Sequence, residues 1–169
     1  MMRKLLLTAG LLALLTGCSN PFAPKLDENL GNGIGTVGDQ RTVEGVFQTI
    51  QYAYAARDTL IYGRLLDSAF QFRYYNAERG ADVVFTRDEE MRTTYNLFRG
   101  VALLDLQWNA IVAQEGDSLD VTVTRPYNLR IALTPDDVIR VDGRATLHLL
   151  RISTAEPWRI RTWRDDSSF

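Results

Sequence analysis

Cysteine and histidine are almost absent from this chain, which holds Cys18 and His148 and no other of either kind among 169 residues. No disulfide can close within it, and a zinc site built from Cys and His has too few ligands. Lysine is as scarce: Lys4 and Lys25 are the only two, so nearly all of the 19 basic residues are arginines. They are scattered among 21 acidic residues rather than gathered into a patch, which disfavours nucleic acid as a partner. Codon bias or a phosphate-reading surface are the two readings of the arginine preference. The chain also lacks any apolar run near the roughly 20 residues that span a bilayer. No metal and no cofactor is expected.

What is present begins with a basic start, Met1-Met2-Arg3-Lys4, followed by a compact apolar stretch from Leu5 to Leu15. That combination has the form of an export signal. Its end, Leu15-Thr16-Gly17-Cys18, resembles the lipobox of bacterial lipoproteins. The resemblance implies that residues 1–17 are removed and that Cys18 becomes a lipidated first residue. Two or more acyl chains give stable anchoring where one gives only marginal binding, at about 0.8 kcal/mol per buried methylene. Without Arg3 and Lys4, 17 basic residues face 21 acidic ones, so the mature chain carries a net charge near −4. It has no thiol left for nucleophilic chemistry. Ser19 follows the cysteine, and by analogy a residue other than Asp there goes with outer-membrane sorting facing the periplasm, if the cell is Gram-negative.

Residues 18–40 are rich in Pro, Gly, Asn and Asp and carry no sustained period, so they form an expected tether. A coil of this length reaches roughly 25 Å. From Thr42 the pattern changes: Val43, Val46, Phe47, Ile50 and Tyr54 recur at helical spacing until Arg57-Asp58-Thr59 interrupts them. A shorter helix follows through Leu60, Ile61, Leu65 and Leu66, and Phe70 to Arg73 alternate as a short strand. Thr86-Arg87-Asp88-Glu89 fits a capping box. The helix after it is expected to bury Met91, Tyr95 and Phe98 and to end at Arg99-Gly100.

After Gly100 the period becomes two. Leu104, Leu106, Trp108, Ala110 and Val112 are expected on one face of a long strand, and Glu115-Gly116-Asp117 turns the chain. Leu119 to Leu133 continue the alternation on odd numbers, with Arg125 as the exception and Pro126 suggesting a bulge. Asp142-Gly143 reads as a tight turn or bulge before Ala145 to Ile152. Trp158, Ile160 and Thr162 alternate in the last strand.

Three helices with a strand between them, then a long antiparallel meander, give an α+β chain. The helix closing on Ala55-Ala56-Arg57-Asp58, the passage Leu65-Leu66-Asp67-Ser68-Ala69-Phe70 and Glu156-Pro157-Trp158-Arg159-Ile160 together resemble the NTF2-like superfamily, also called SnoaL-like or cystatin-like. The resemblance covers roughly Thr42 to Trp163. It implies an NTF2-like cone over residues 41–169, with three N-terminal helices packed on a curved antiparallel sheet around a pocket. Members use that pocket for catalysis, ligand storage or partner binding, so the fold leaves the function open. The proton-transfer chemistry of ketosteroid isomerases implies a base near Arg73 and an oxyanion donor near Ile50, with Tyr52 and Tyr54 close by. An arginine stays protonated and cannot be that base.

The polar candidates for chemistry are therefore Asp67, Asp105 and His148, with an acid orienting the histidine. Tyr52, Tyr54, Gln107, Asn109, Trp108 and Trp158 are the candidate pocket residues. Each has a plainer reading: His148 at a surface or in a satisfied core, Asp105, Gln107 and Asn109 on the wet face of a sheet, and the tryptophans as core anchors. The expected function is non-enzymatic binding by an envelope lipoprotein, of a small hydrophobic ligand or an envelope protein. The alternative is a small-molecule isomerase or hydrolase working in the pocket. A homodimer through the sheet is a further expectation. Replacement of Cys18 (Cys18→Ser) is expected to abolish metabolic labelling with a radioactive fatty acid and to leave the signal segment uncleaved. Undiminished labelling of that variant would refute the anchor.

Overall fold

A computed structural model describes residues 35–167. Cys18, the signal segment 1–17 and the tether as far as residue 34 lie outside the described residues. The elements follow in the order α1 (Val43–Ala56), α2 (Thr59–Leu65), β1 (Leu66–Asn76), β2 (Ala81–Thr86) and α3 (Arg87–Gly100). Then come β3 (Leu103–Trp108), β4 (Ala113–Gly116), β5 (Asp120–Thr134), β6 (Asp137–Leu150) and β7 (Arg159–Asp165).

Local chemistry sets the helix boundaries. The Thr42 hydroxyl accepts from the Gly45 N–H at 2.9 Å and starts α1. Arg57, at φ 53°, ends it in the left-handed region, and the Asp58 N–H donates to the Ala53 carbonyl at 2.9 Å. The Asp58 carboxylate then accepts from the N–H groups of Leu60 and Ile61, so the residue that leaves one helix caps the next. At the start of α3, Glu89 Oε2 accepts from both the N–H and the hydroxyl of Thr86, at 2.8 and 2.7 Å.

The curved sheet runs β2-β1-β7-β6-β5-β3, with β4 also paired to β5. Every pairing is antiparallel except that of β1 with β7, which is parallel. Its inner face packs on α1, whose Val46, Phe47, Ile50 and Ala53 are all fully buried. Trp108 fastens the two layers: its indole N–H donates to the Phe47 carbonyl at 3.0 Å, and its ring meets the Phe47 ring edge-on at 4.9 Å. At the far end Trp158 is clamped against the chain just before α1. Its N–H donates to the Gln40 carbonyl, its carbonyl accepts from the Gln40 amide, and the Arg151 guanidinium lies 4.1 Å above its ring.

Several strand expectations change. The strand from Phe70 is longer than its alternation suggested and forms a hairpin with β2, which the periodicity did not reveal. The long strand through Val112 is two short ones: β3 stops at Trp108, and Ala110 and Val112 are exposed. Pro126 causes no bulge, because its pairing with Arg144 continues the regular register. Its carbonyl accepts from the Asn109 N–H, so the missing Pro126 N–H points to the same side, where β3 has ended and β4 has not begun. The register instead shifts between Ala132 and Thr134, which buries Ala132 and exposes Leu133. Arg125 faces inward as the one odd-numbered cation because its guanidinium lies 5.0 Å over the Phe47 ring and pairs with Glu44 at 2.7 Å.

Asp142-Gly143 is no turn either; it sits mid-strand, with Gly143 opposite Tyr127. A Cβ at Gly143 would stand 2.6 Å from the Tyr127 ring, so the glycine makes room for that ring to lie across β6. Gly143→Ala is expected to destabilise the protein by about 1–3 kcal/mol through displacement of Tyr127. Urea unfolding checks this, and an unchanged midpoint would count against the nesting of ring on glycine.

Candidate functional site

Helix α3 covers the part of the inner sheet face that α1 leaves open, and its sequence, RDEEMRTTYNLFRG, is too polar to fill the space. Its buried stripe is Glu90, Thr94 and Phe98, at the i, i+4, i+8 spacing of one helix face. Tyr95, expected inside, is exposed and meets Arg99 at the surface. The result is a cavity of about 250 Å³ between α3 and the sheet. Phe72 of β1, Phe85 of β2, Trp108 of β3, Tyr127 of β5 and Trp163 of β7 line it, with Tyr54 of α1 and Leu97 of α3. An apolar cavity of about 150 Å³ takes up benzene, so this one has room for a substituted ring.

Two carboxylates stand in this apolar wall, Glu90 and Asp165. Glu90 is 5% exposed, and its Oε1 accepts from the Tyr62 hydroxyl at 2.7 Å and the Thr94 hydroxyl at 2.9 Å. Oε2 accepts from no described residue. Asp165 accepts through Oδ1 from the Tyr127 hydroxyl at 2.7 Å and through Oδ2 from the Ser167 hydroxyl at 3.1 Å. Burial pushes both acids above the ordinary carboxylate range, although the hydroxyls that bond to them favour ionisation. The charge of Asp165 adds to the push on Glu90. Burial and these neighbouring acids likewise raise Tyr54, Tyr62 and Tyr127, which stay neutral donors.

The residues singled out from the sequence are spread more widely. Tyr54 and Trp108 line the cavity; Tyr52, Gln107, Asn109 and Trp158 do not. Asp67 is in an ion pair with Arg161 at 2.6 Å and caps the Ala69 N–H. Asp105 accepts from the Gln107 amide on β3, and Gln107 and Asn109 are exposed. His148 lies on the outer face of β6, 2.8 Å from Asp120. Asp67, Asp105 and His148 therefore converge on no common point. Trp163 Nε1 is the one fully occluded polar side-chain atom without a partner among the described residues. Among those residues no cluster of three or more His, Asp or Glu could hold a metal ion.

Residues 2–19 match the model of the prokaryotic membrane lipoprotein lipid attachment site, which places a lipid anchor in the cell envelope. No curated protein matches the sequence. Among solved structures, the chain is similar to an NTF2-like superfamily protein from Salmonella enterica serovar Typhimurium, at 11% identity over 77% of this chain and 91% of that one, TM-score 0.62. It is also similar to a proposed dehydratase of the NTF2-like family from Streptomyces avermitilis, at 12% identity over 78% and 96%, TM-score 0.60. A proposed scytalone dehydratase from Novosphingobium aromaticivorans is similar at 10% identity over 76% and 83%, TM-score 0.65. The fold of this chain is the NTF2-like cone.

Because Glu90 and Asp165 hold protons more tightly in the fold than in the unfolded chain, deprotonation opposes folding. Stability is expected to fall as pH rises from the ordinary carboxylate value near 4 through their raised native values. Asp67, whose backbone and Arg161 hydrogen bonds hold it below the ordinary range, acts oppositely and loses its contribution as pH falls through its lowered value. The thermal midpoint should thus decline from pH 5 to pH 8, and less steeply in Glu90→Gln, where Oε1 still accepts from Tyr62. Parallel profiles for the two proteins would sink this assignment.

Proposed function

We propose that this protein is a lipid-anchored envelope module that binds one small, mainly apolar molecule in the cavity under α3. The observation that carries the reading is the cavity itself: about 250 Å³ of space walled by aromatic rings between α3 and the sheet. In this reading residues 18–40 form the tether, residues 41–169 the cone, and the anchor is in the outer membrane, facing the periplasm. Binding needs no chemistry beyond exclusion of water from the ligand's apolar surface.

A second reading, proton transfer to or from a bound ligand, is favoured by one observation. Glu90 combines a raised proton affinity with an oxygen that no described hydroxyl or N–H occupies, in a cavity shared with Asp165. Such a group suits general acid–base catalysis. Two of the similar structures are named as proposed dehydratases. In this reading Glu90 takes the part that the sequence offered to Asp67, Asp105 or His148.

Trp108 and Trp163 line the cavity and serve as built-in reporters. In the full chain held in lipid nanodiscs, propylbenzene is expected to change their emission saturably. Val141→Phe, which fills the cavity from β6, should keep a cooperative melt and weaken that response about tenfold or more. Equal responses from the two proteins would show that the probe sits in the lipid and would remove the support for the reading.

A further inference from the structure

The cavity's charge pattern narrows the class of ligand. Its wall contains six aromatic side chains and two acids but no arginine, lysine or histidine, in a chain that otherwise carries many arginines. The only charges a ligand meets there are negative. Glu90 is nine-tenths buried with both of its hydrogen-bond donors on Oε1, and Oε2 is left without one among the described residues. Asp165 differs, since each of its oxygens already has a hydroxyl donor. The Tyr54 hydroxyl, also in the wall, has no hydrogen-bond partner among the described residues. The unpaired Trp163 N–H is fully occluded and closed to a ligand in the cavity.

We infer that the ligand is a protonated primary or secondary amine carried on an apolar body, its N–H donating to Glu90 Oε2. The inference rests on the cavity being a ligand site. An ammonium supplies what the buried carboxylate lacks, a charge-assisted donor, and recovers part of the free energy lost in its desolvation. Aromatic walls attract cations as well as apolar groups, so the same lining accommodates both ends of the molecule. A carboxylate or phosphate ligand would face two acids with no cation to offset them.

The inference carries a pH signature. Around Glu90 stand Tyr62 from α2, Tyr54 from α1, Tyr127 from β5 and Asp165 from β7, while β1 and β2 contribute Phe72 and Phe85. An incoming cation stabilises ionised Glu90, so binding releases a proton below the raised native value of that group. Affinity for an ammonium should therefore increase from pH 5 to pH 8, whereas affinity for a neutral molecule of the same shape should not follow it.

Three probes that share a phenyl ring on a short chain test this on the full chain in nanodiscs: 2-phenylethylammonium, its neutral isostere propylbenzene, and the anion 3-phenylpropanoate, titrated calorimetrically at pH 5, 6.5 and 8. The expected result is that the ammonium binds about tenfold tighter than propylbenzene at pH 8 and releases protons in a buffer-dependent way. Glu90→Gln, checked for a cooperative melt, should bind the ammonium no tighter than propylbenzene and lose the proton release. Equal binding of ammonium and propylbenzene would leave the cavity reading standing and overturn the amine. Preference for the propanoate would overturn it too, and binding of none of the three would overturn both readings. If Glu90→Gln fails to fold, the proton release of the unaltered protein decides alone, and its absence counts against the inference.

Discussion

One curved sheet must have its inner face covered, and the two helices available for that differ in how much apolar surface they bring. Helix α1 brings a full stripe, Val46, Phe47, Ile50 and Ala53, and seals its half of the face. Helix α3 brings a carboxylate and a hydroxyl where apolar side chains would be needed, and only Phe98 completes its stripe. The packed core and the cavity are two outcomes of one requirement, separated by the composition of the covering helix. Trp108 stands at the boundary: it bonds to α1 through its N–H and presents its ring to the cavity.

The polar groups of the site are held by the same elements that build the core. Tyr62 reaches Glu90 because Asp58 starts α2 directly after α1 ends, which fixes where the short helix points. Tyr127 reaches Asp165 because Gly143, on the neighbouring strand, lets the ring lie flat across it. Each acid is thus supported by a tyrosine delivered from a different layer. Burial raises the proton affinity of both acids, and the hydroxyls limit how far it rises.

Much of this architecture was legible from periodicity. The stripe of α1, the Arg57-Asp58 break, the Thr86–Glu89 cap and most of the alternation of β5 reflect elements buried on one side, and burial is what writes a period into a sequence. In β7 the register shifts after Ile160, so the expected Thr162 pairs with His148 on the outer face and Trp163 takes the buried place. β2 escaped notice because its residues, Ala81 to Thr86, are largely exposed on an edge. The break between β3 and β4 was hidden because Ala110 and Val112 keep the apolar alternation although nothing covers them. The site was harder to see. Glu90 closes the run Asp88-Glu89-Glu90, which reads as a solvated helix start with acids favoured by the helix dipole. Only its spacing to Thr94 and Phe98 separates it from its neighbours, and that signal competes with the more apolar Met91–Tyr95 pair. His148 drew attention through rarity, but rarity says nothing about which face of a strand a residue occupies.

The interrupted border of the sheet has a bearing on how the protein behaves in a crowd. Copies anchored to one membrane by lipid share a plane, where encounters between neighbours are frequent and their orientations are alike. An unbroken outer strand there would offer a continuous row of unpaired amides to the next copy. This border is instead two short pieces of six and four residues, offset where Pro126 has no N–H to give. Neither piece offers more than a short run of free amides, so the gap that looks like a defect in the meander leaves this border a poor template for a neighbour's strand.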